Sequence, residues 1–336
     1  MVCGPAIVFC RYHERDITGI RSHVYEEPKT CKTVLGLDAN MLYPSTLLQY
    51  LPCGKEKLFK VPTPKSRRNL KILTRVVQNN EIFGFAQVDI EVPKELHEKF
   101  REMSPLFVDM EIPDEQIPDH MHEYLKKTGR KRIPGTRKLC VVMKAKKILL
   151  YTPVLKWYLD HGLKVTGFYQ FLRYKRGKQF AWFPEEVADA RRQADKDPDK
   201  RHVGDTAKHK ANSFYGKMIE DVARHVNTIF KSDEEKVHKV MRSPYLKDLE
   251  EIGNAYEIRK GKRQVSVDRA YQCGVVVYQL VKLRMLEFYY DFLDKYVDCH
   301  TWILPALIWR SLGKSCEMLS DLSYLTPLTK TWQTGS

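Results

Sequence analysis

Eight cysteines (Cys3, Cys10, Cys31, Cys53, Cys140, Cys273, Cys299 and Cys316) are spread over 336 residues without a CxxC pair. That spacing argues against a zinc module and against the disulfide framework of a small secreted domain. No charged n-region and apolar core follow Met1-Val2-Cys3-Gly4-Pro5, so no secretory signal is visible. No apolar run is long and uncharged enough to span a bilayer. Internal repeats and low-complexity tracts are also lacking. These absences predict a soluble intracellular chain in a reducing compartment, with no membrane partner; nucleus and cytoplasm both stay open.

What the chain has in excess is positive charge. Fifty-seven Lys and Arg against 42 Asp and Glu give a net charge of +15, and the pI is about 9.3. Such a balance favours a polyanionic partner, although a merely basic cytosolic or ribosomal-type protein would show it too. The 18 Tyr and five Trp interleaved with these cations suit base stacking as well as core packing, and core packing accounts for most of them. A hydrophobic content of 43% suffices for a large core and more than one subdomain.

Local patterns set expectations along the chain. Thr33 to Asp38 reads as a buried strand ending in a carboxylate, and Pro44 opens a helix through Tyr50 that Pro52-Cys53-Gly54-Lys55 closes. Pro62 to Arg68 reads as a basic loop. Ala86, Val88, Ile90 and Val92 alternate with Gln87, Asp89 and Glu91, the period of a half-buried strand. Leu139 to Met143 predicts a strand, Ile148 to Asp160 a helix stopped at Gly162, and Val165 to Tyr169 a further strand. Pro93 to Lys138 resembles an inserted subdomain. Pro184 to Asp197 and Val203 to Met218 predict an antiparallel helical pair. Lys231 to Lys262 is charged and peripheral, and Val276 to Val297 carries the stripe of a long amphipathic helix. His120-Met121-His122 has metal-ligand spacing, but with Asp119 and Glu123 beside it reads as a solvated turn.

Two segments carry chemistry. In Leu35-Gly36-Leu37-Asp38-Ala39-Asn40-Met41-Leu42-Tyr43-Pro44-Ser45, one carboxylate sits at a strand end with a tyrosine and a helix start behind it. Nucleotidyl transfer needs phosphate charge neutralised and a 3′-hydroxyl activated, which two carboxylate-held Mg²⁺ ions accomplish. Asp38 suits a Mg²⁺ ligand, and the Ala39 carbonyl adds a second. Tyr43 lies close enough to face an incoming sugar and to exclude a 2′-hydroxyl. The bland alternative, a strand followed by a Tyr-Pro turn, fits the segment equally well by itself.

In Lys208-His209-Lys210-Ala211-Asn212-Ser213-Phe214-Tyr215-Gly216-Lys217, residues Lys208, Asn212 and Tyr215 stand at i, i+4 and i+7 on one helical face. Lysine is a compact charge for a β- or γ-phosphate, and Tyr215 can stack on a nascent base pair. Gly216 costs about 1 kcal/mol relative to Ala inside a helix, which calls for a reason such as close approach of DNA or nucleotide. Lys217, with Arg191 and Arg192 on the preceding helix, supplies further DNA contacts. A solvated basic face explains each of these residues singly.

Together the two segments resemble motifs A and B of family B DNA polymerases. Asp38-Ala39-Asn40-Met41-Leu42-Tyr43-Pro44-Ser45 is similar to D-x-x-S-L-Y-P-S, and Lys208 to Gly216 is similar to K-x-x-x-N-S-x-Y-G. Asn40 and the long stretch between the motifs resemble the protein-primed subgroup of phages, linear plasmids and Polinton-type transposons. The resemblance implies an α+β fold, with an antiparallel palm sheet, packed helices and a helical-hairpin fingers subdomain. It implies palm over 1–50 and 139–180, a terminal-protein-region-like insert over 51–138 and fingers over 181–220. An insertion with a palm helix follows over 221–298, then a degenerate tail over 299–336. It further implies Mg²⁺, dNTPs, a DNA template–primer and a terminal priming protein as ligands and partners. Asp38 and Ala39 become metal ligands, and Tyr43, Lys208, Asn212 and Tyr215 become dNTP-site residues.

The sequence departs from that pattern at several points. Met41 replaces the usual Ser. Motif C, ordinarily D-T-D, finds its nearest match at Cys316 to Tyr324, where Leu319 takes the place of the first Asp and Asp321 the second catalytic position. The space before motif A and after Asp321 leaves no exonuclease or thumb domain, so the expectation is a palm-and-fingers fragment. A DNA-directed DNA polymerase is therefore the leading expectation. A non-catalytic nucleic-acid-binding remnant and an unrelated basic RNA-binding protein are the alternatives.

Overall fold

A computed structural model describes residues 14–17, 19–20, 29–31, 41–101, 103–131, 135, 137–264, 266 and 269–296. The strand expected over Thr33–Asp38 and the motif C remnant at Cys316–Tyr324 lie outside these residues. A two-residue ladder, β1 (Gly19–Ile20) with β2 (Lys29–Thr30), precedes α1 (Leu42–Ser45), which a 3₁₀ turn over Thr46–Leu48 extends. Next come β3 (Leu51–Lys60), α2 (Arg67–Gln78) and β4 (Gly84–Glu91). An excursion follows: β5 (Phe107–Glu111), α3 (Asp119–Thr128) and β6 (Arg137–Val141). The chain returns through β7 (Lys144–Tyr151), α4 (Thr152–Asp160) and β8 (Lys164–Gly177). A helical pair, α5 (Trp182–Lys196) and α6 (Arg201–Met218), leads into β9 (Val226–Lys231), α7 (Glu234–Met241), β10 (Leu246–Ile252) and β11 (Ala255–Gly261). The last long helix is α8 (Tyr271–Leu286), running through a π-helical stretch at Glu287–Leu293 into α9 (Asp294–Tyr296).

The central sheet is open and antiparallel, in the order β3-β8-β4-β7. Smaller sheets are the β5-β6 ribbon and β10-β11-β9. The alternation read in β4 holds on its core side, where Ala86, Val88, Ile90 and Val92 are all buried. Asp89 breaks it, being only 5% exposed. Its carboxylate accepts the Tyr169 hydroxyl and the Lys147 backbone N–H, each at 2.8 Å. That hydrogen bond to Asp89 also holds the Tyr169 phenol above its usual range.

Three expectations about local structure change. Pro52-Cys53-Gly54-Lys55 does not merely close a helix; it forms the start of β3. Proline is tolerated there because β3 is an edge strand, and Gly54, at φ 74°, sits in the bulge where the register shifts between Cys53 and Lys57. The predicted helix over Ile148–Asp160 begins only at Thr152, with Ile148 to Tyr151 completing β7. Pro153 explains the boundary: proline fits a helix's first turn, whereas an earlier start would set its ring against a carbonyl one turn back. His120 and His122 lie on α3 rather than in a turn.

α8 is the spine of the core. It packs on α1, α4, α6, β3 and β7, while α4 packs on β4 and β7, and α2 packs on α4 and β8. Val276, Leu280, Leu283 and Leu286 are buried along it, each contributing about 1.5–3 kcal/mol of apolar transfer. Gly274 lets α8 meet the end of α6, since a Cβ there would lie 2.2 Å from Ile219 Cγ2. Lys282 is buried on the same helix, its ammonium 5.3 Å from the centroid of Phe107 and 5.6 Å from that of Tyr158. At the π-helical stretch, Trp157 Nε1 donates to Asp291 Oδ2 at 2.8 Å and His161 Nε2 meets Asp291 Oδ1 at 2.8 Å, fastening α4 to this turn. No helix of the described residues is long and apolar enough to cross a membrane.

Candidate functional site

The site is built where α1, α6 and α8 meet. Met41 precedes α1 in the left-handed region, at φ 54°, a conformation that non-glycine residues adopt sparingly and that tends to mark functional turns. The turn is held by its own hydroxyls: Ser45 Oγ donates to Leu42 O at 2.8 Å and Thr46 Oγ1 to Tyr43 O at 2.7 Å. These bonds fix the direction in which Tyr43 leaves the backbone.

Tyr43 stacks on Tyr215, with ring centroids 4.7 Å apart and planes at 14°. Tyr278 of α8 meets both rings edge-on at 6.0 Å, at 84° to Tyr43 and 87° to Tyr215. Contacts of this kind contribute on the order of 1 kcal/mol each beyond burial. All three tyrosines are only half-buried, so the cluster opens to the surface.

Helical geometry explains why Tyr215 reaches this point. On α6, Ala207 and Ala211 are buried against Val187 of α5, with Phe183 and Ala190 packed beside them. Phe214 stacks on Phe183 at 4.2 Å. Positions 207, 211 and 214 thus form the seam between the paired helices. Lys208, Asn212 and Tyr215 occupy the adjoining face, about 100° around the axis. Lys208 is exposed and has no ion-pair partner among the described residues. Asn212 shares that face by its position on α6.

Met41, the departure from the motif's usual Ser, packs with this same apolar seam. Its apolar side chain anchors the α1 turn to the α5–α6 pair, where a serine would offer a hydroxyl. Gly216 has nothing within 4 Å of a built Cβ. Gly204, by contrast, faces Ala194 Cβ at 2.7 Å, so close helix packing explains Gly204 and leaves Gly216 without an internal reason.

The remaining site residues are dispersed. Lys217 Nζ pairs with Glu220 at 2.8 Å, and this bond, with His225 nearby, holds the Glu220 carboxyl below its usual range. Arg192 pairs with Asp189 one turn back, and Arg191 is half-buried. Asp38, Ala39 and Asp321 lie outside the described residues. Among the described residues no group of three or more His, Cys, Asp or Glu is placed to hold a metal ion. The Mg²⁺ ligand set therefore rests on the sequence resemblance.

Tyr278 was not singled out by the sequence pattern. Its signal is its position off the apolar stripe of α8, two residues after Val276, where an aromatic ring faces away from the core seam.

Family models, curated proteins and solved structures give no match to this chain.

Proposed function

We propose that the chain is a nucleotidyltransferase of the family B DNA polymerase type, adding dNTPs to a 3′-hydroxyl under direction of a template. One observation carries this reading. The two tyrosines that the motifs assign to the nucleotide site, far apart in the chain, stack on each other, with Lys208 on the same helical face as the second. Tyr43 would meet the sugar of an incoming dNTP, Tyr215 the nascent base pair and Lys208 the phosphates, with Asn212 between them on α6. The central sheet with α4 and α8 would serve as palm, taking in β3 and β4 from the 51–138 stretch expected as an insert, and the α5–α6 pair would serve as fingers. Mg²⁺ held by Asp38, Ala39 and Asp321 would supply charge neutralisation and hydroxyl activation. A terminal priming protein is the partner that the protein-primed subgroup implies.

Primer extension with the intact chain, on oligonucleotide-primed and terminal-protein-primed templates, tests this. Mg²⁺-dependent dNTP incorporation is expected, abolished in Asp38→Asn and with ribonucleotide exclusion relaxed in Tyr43→Ala. Incorporation that survives Asp38→Asn would remove that residue from its role.

A second reading, a non-catalytic nucleic-acid-binding remnant, is favoured by the exposed cations of the α5–α6 pair, among them Lys196, Arg201 and Lys208. It predicts salt-sensitive DNA binding without incorporation, since phosphate contacts release counterions.

A further inference from the structure

α2 breaks the electrostatic rules that stabilise a helix. Leu70, Leu73 and Val77 turn one face to the core, and Val77 is 1% exposed. The other face carries Arg67, Arg68, Lys71 and Arg75, all exposed, with Lys65 just ahead of the helix. No acidic residue occurs between Glu56 and Glu81, and none stands in the helix's first turn, where Arg67 and Arg68 do. Cations at a helix start oppose the helix dipole. The pairs Arg67–Lys71 and Lys71–Arg75, four residues apart, repel rather than attract. None of the five cations has an ion-pair partner among the described residues. The carboxylate that α2 does touch, Asp160, receives Gln78 at 3.2 Å and is paired with Lys156 at 2.6 Å.

The fold therefore holds a concentrated positive face that no ion pair among the described residues neutralises. Arg176 near the end of β8, on which α2 packs, adds to the field, its guanidinium donating to Asn80 O just past the helix at 2.9 Å. The face is rigid, being anchored through its apolar side, and runs about 18 Å at 1.5 Å per residue. Its one large apolar residue is Ile72, 50% exposed; it has no aromatic ring on which an unpaired base could stack. We propose that this face of α2 docks the phosphate backbone of double-stranded DNA, at a place separate from the tyrosine cluster. α2 packs on α4 and β8, whereas the α5–α6 pair packs on α1 and α8. The contact is independent of base sequence, as backbone contacts are. It acts as a second anchor that keeps the chain on duplex whether or not nucleotide is bound.

The test compares the intact chain with R68Q/K71Q/R75Q and R68E/K71E/R75E. Fluorescence anisotropy over a salt series uses three probes: a short duplex, a single strand of the same length, and polyglutamate. In the Gln variant, duplex affinity at about 0.1 M salt should fall by at least about tenfold and the log–log salt slope by about 2.7, or 0.9 for each lost phosphate contact. The Glu variant should lose more, and single-strand binding should change less than duplex binding. The Gln variant's urea midpoint should stay level or rise, because only repulsions are removed. An unchanged salt slope would overturn the proposal. So would a lowered urea midpoint, or affinity lost for polyglutamate or single strand rather than for duplex. Primer extension probes Asp38 and the tyrosine cluster, so the two assignments fail separately.

Discussion

Replacing Lys282 with Met should stabilise the protein, by an amount that depends on pH in a defined way. The ammonium is buried between the rings of Phe107 and Tyr158, and burial pushes its pKa down from 10.5 to about 7. The unfolded chain therefore carries a proton between pH 7 and 10.5 that the folded chain does not. Wild-type stability must rise with pH across that window, and below it the full cost of charging the buried amine is felt. At about 1.4 kcal/mol per pH unit, that cost is on the order of 5 kcal/mol. Attraction to the two rings offsets about 1–2 kcal/mol for each, leaving a net of about 1–3 kcal/mol. Urea titrations of wild type and K282M, at constant ionic strength from pH 6 to 10.5, read this directly through the midpoints. The advantage of K282M should be greatest below pH 7 and shrink steadily above it. An advantage that is flat with pH, or that grows as pH rises, would refute the assignment of a buried, charge-averse amine.

Other substitutions probe the site and its frame. Gly216→Ala should raise stability by about 0.5–1 kcal/mol, since a helical position with free space gains from alanine, while dNTP incorporation falls; a loss of stability in urea would show an internal packing reason. Gly274→Ala should cost about 1–3 kcal/mol by overpacking against Ile219, and circular dichroism melting checks it. Asp291→Ala should cost about 1–3 kcal/mol because Trp157 Nε1, on a residue only 7% exposed, loses its acceptor. A melting temperature unchanged in Asp291→Ala would remove that carboxylate from any role in holding α4.

Periodicity was readable wherever one physical pattern dominated a segment. The spacing of Pro184–Asp197 and Val203–Met218 matches α5 and α6 to within two residues at each end. The stripe from Val276 continues through α8, although nothing in it signals that the backbone loosens to a π-helix at Glu287. β3 was hidden because its Pro, Gly and Lys residues, typical of turns, also suit an exposed edge strand carrying a bulge. α2 was hidden because its basic first turn contradicts the usual start signals, and Pro62 and Pro64 just upstream read as loop. Asp89 looked like a solvent-facing position of β4. Only the packing of β7 and β8 beside it, bringing the Lys147 N–H and the Tyr169 hydroxyl, makes burial of a carboxylate tolerable.

Residue order alone placed Lys208, Asn212 and Tyr215 on one face, because 3.6 residues per turn requires it. It likewise set the net charge and the apolar stripe that makes α8 a core helix. Bringing Tyr43 onto Tyr215 was beyond its reach. That contact depends on Met41 filling the apolar seam of the α5–α6 pair and on α8 presenting Tyr278 to both rings. Contacts between distant segments arise from shape-matched packing of whole elements, which no short-range repeat in the chain encodes.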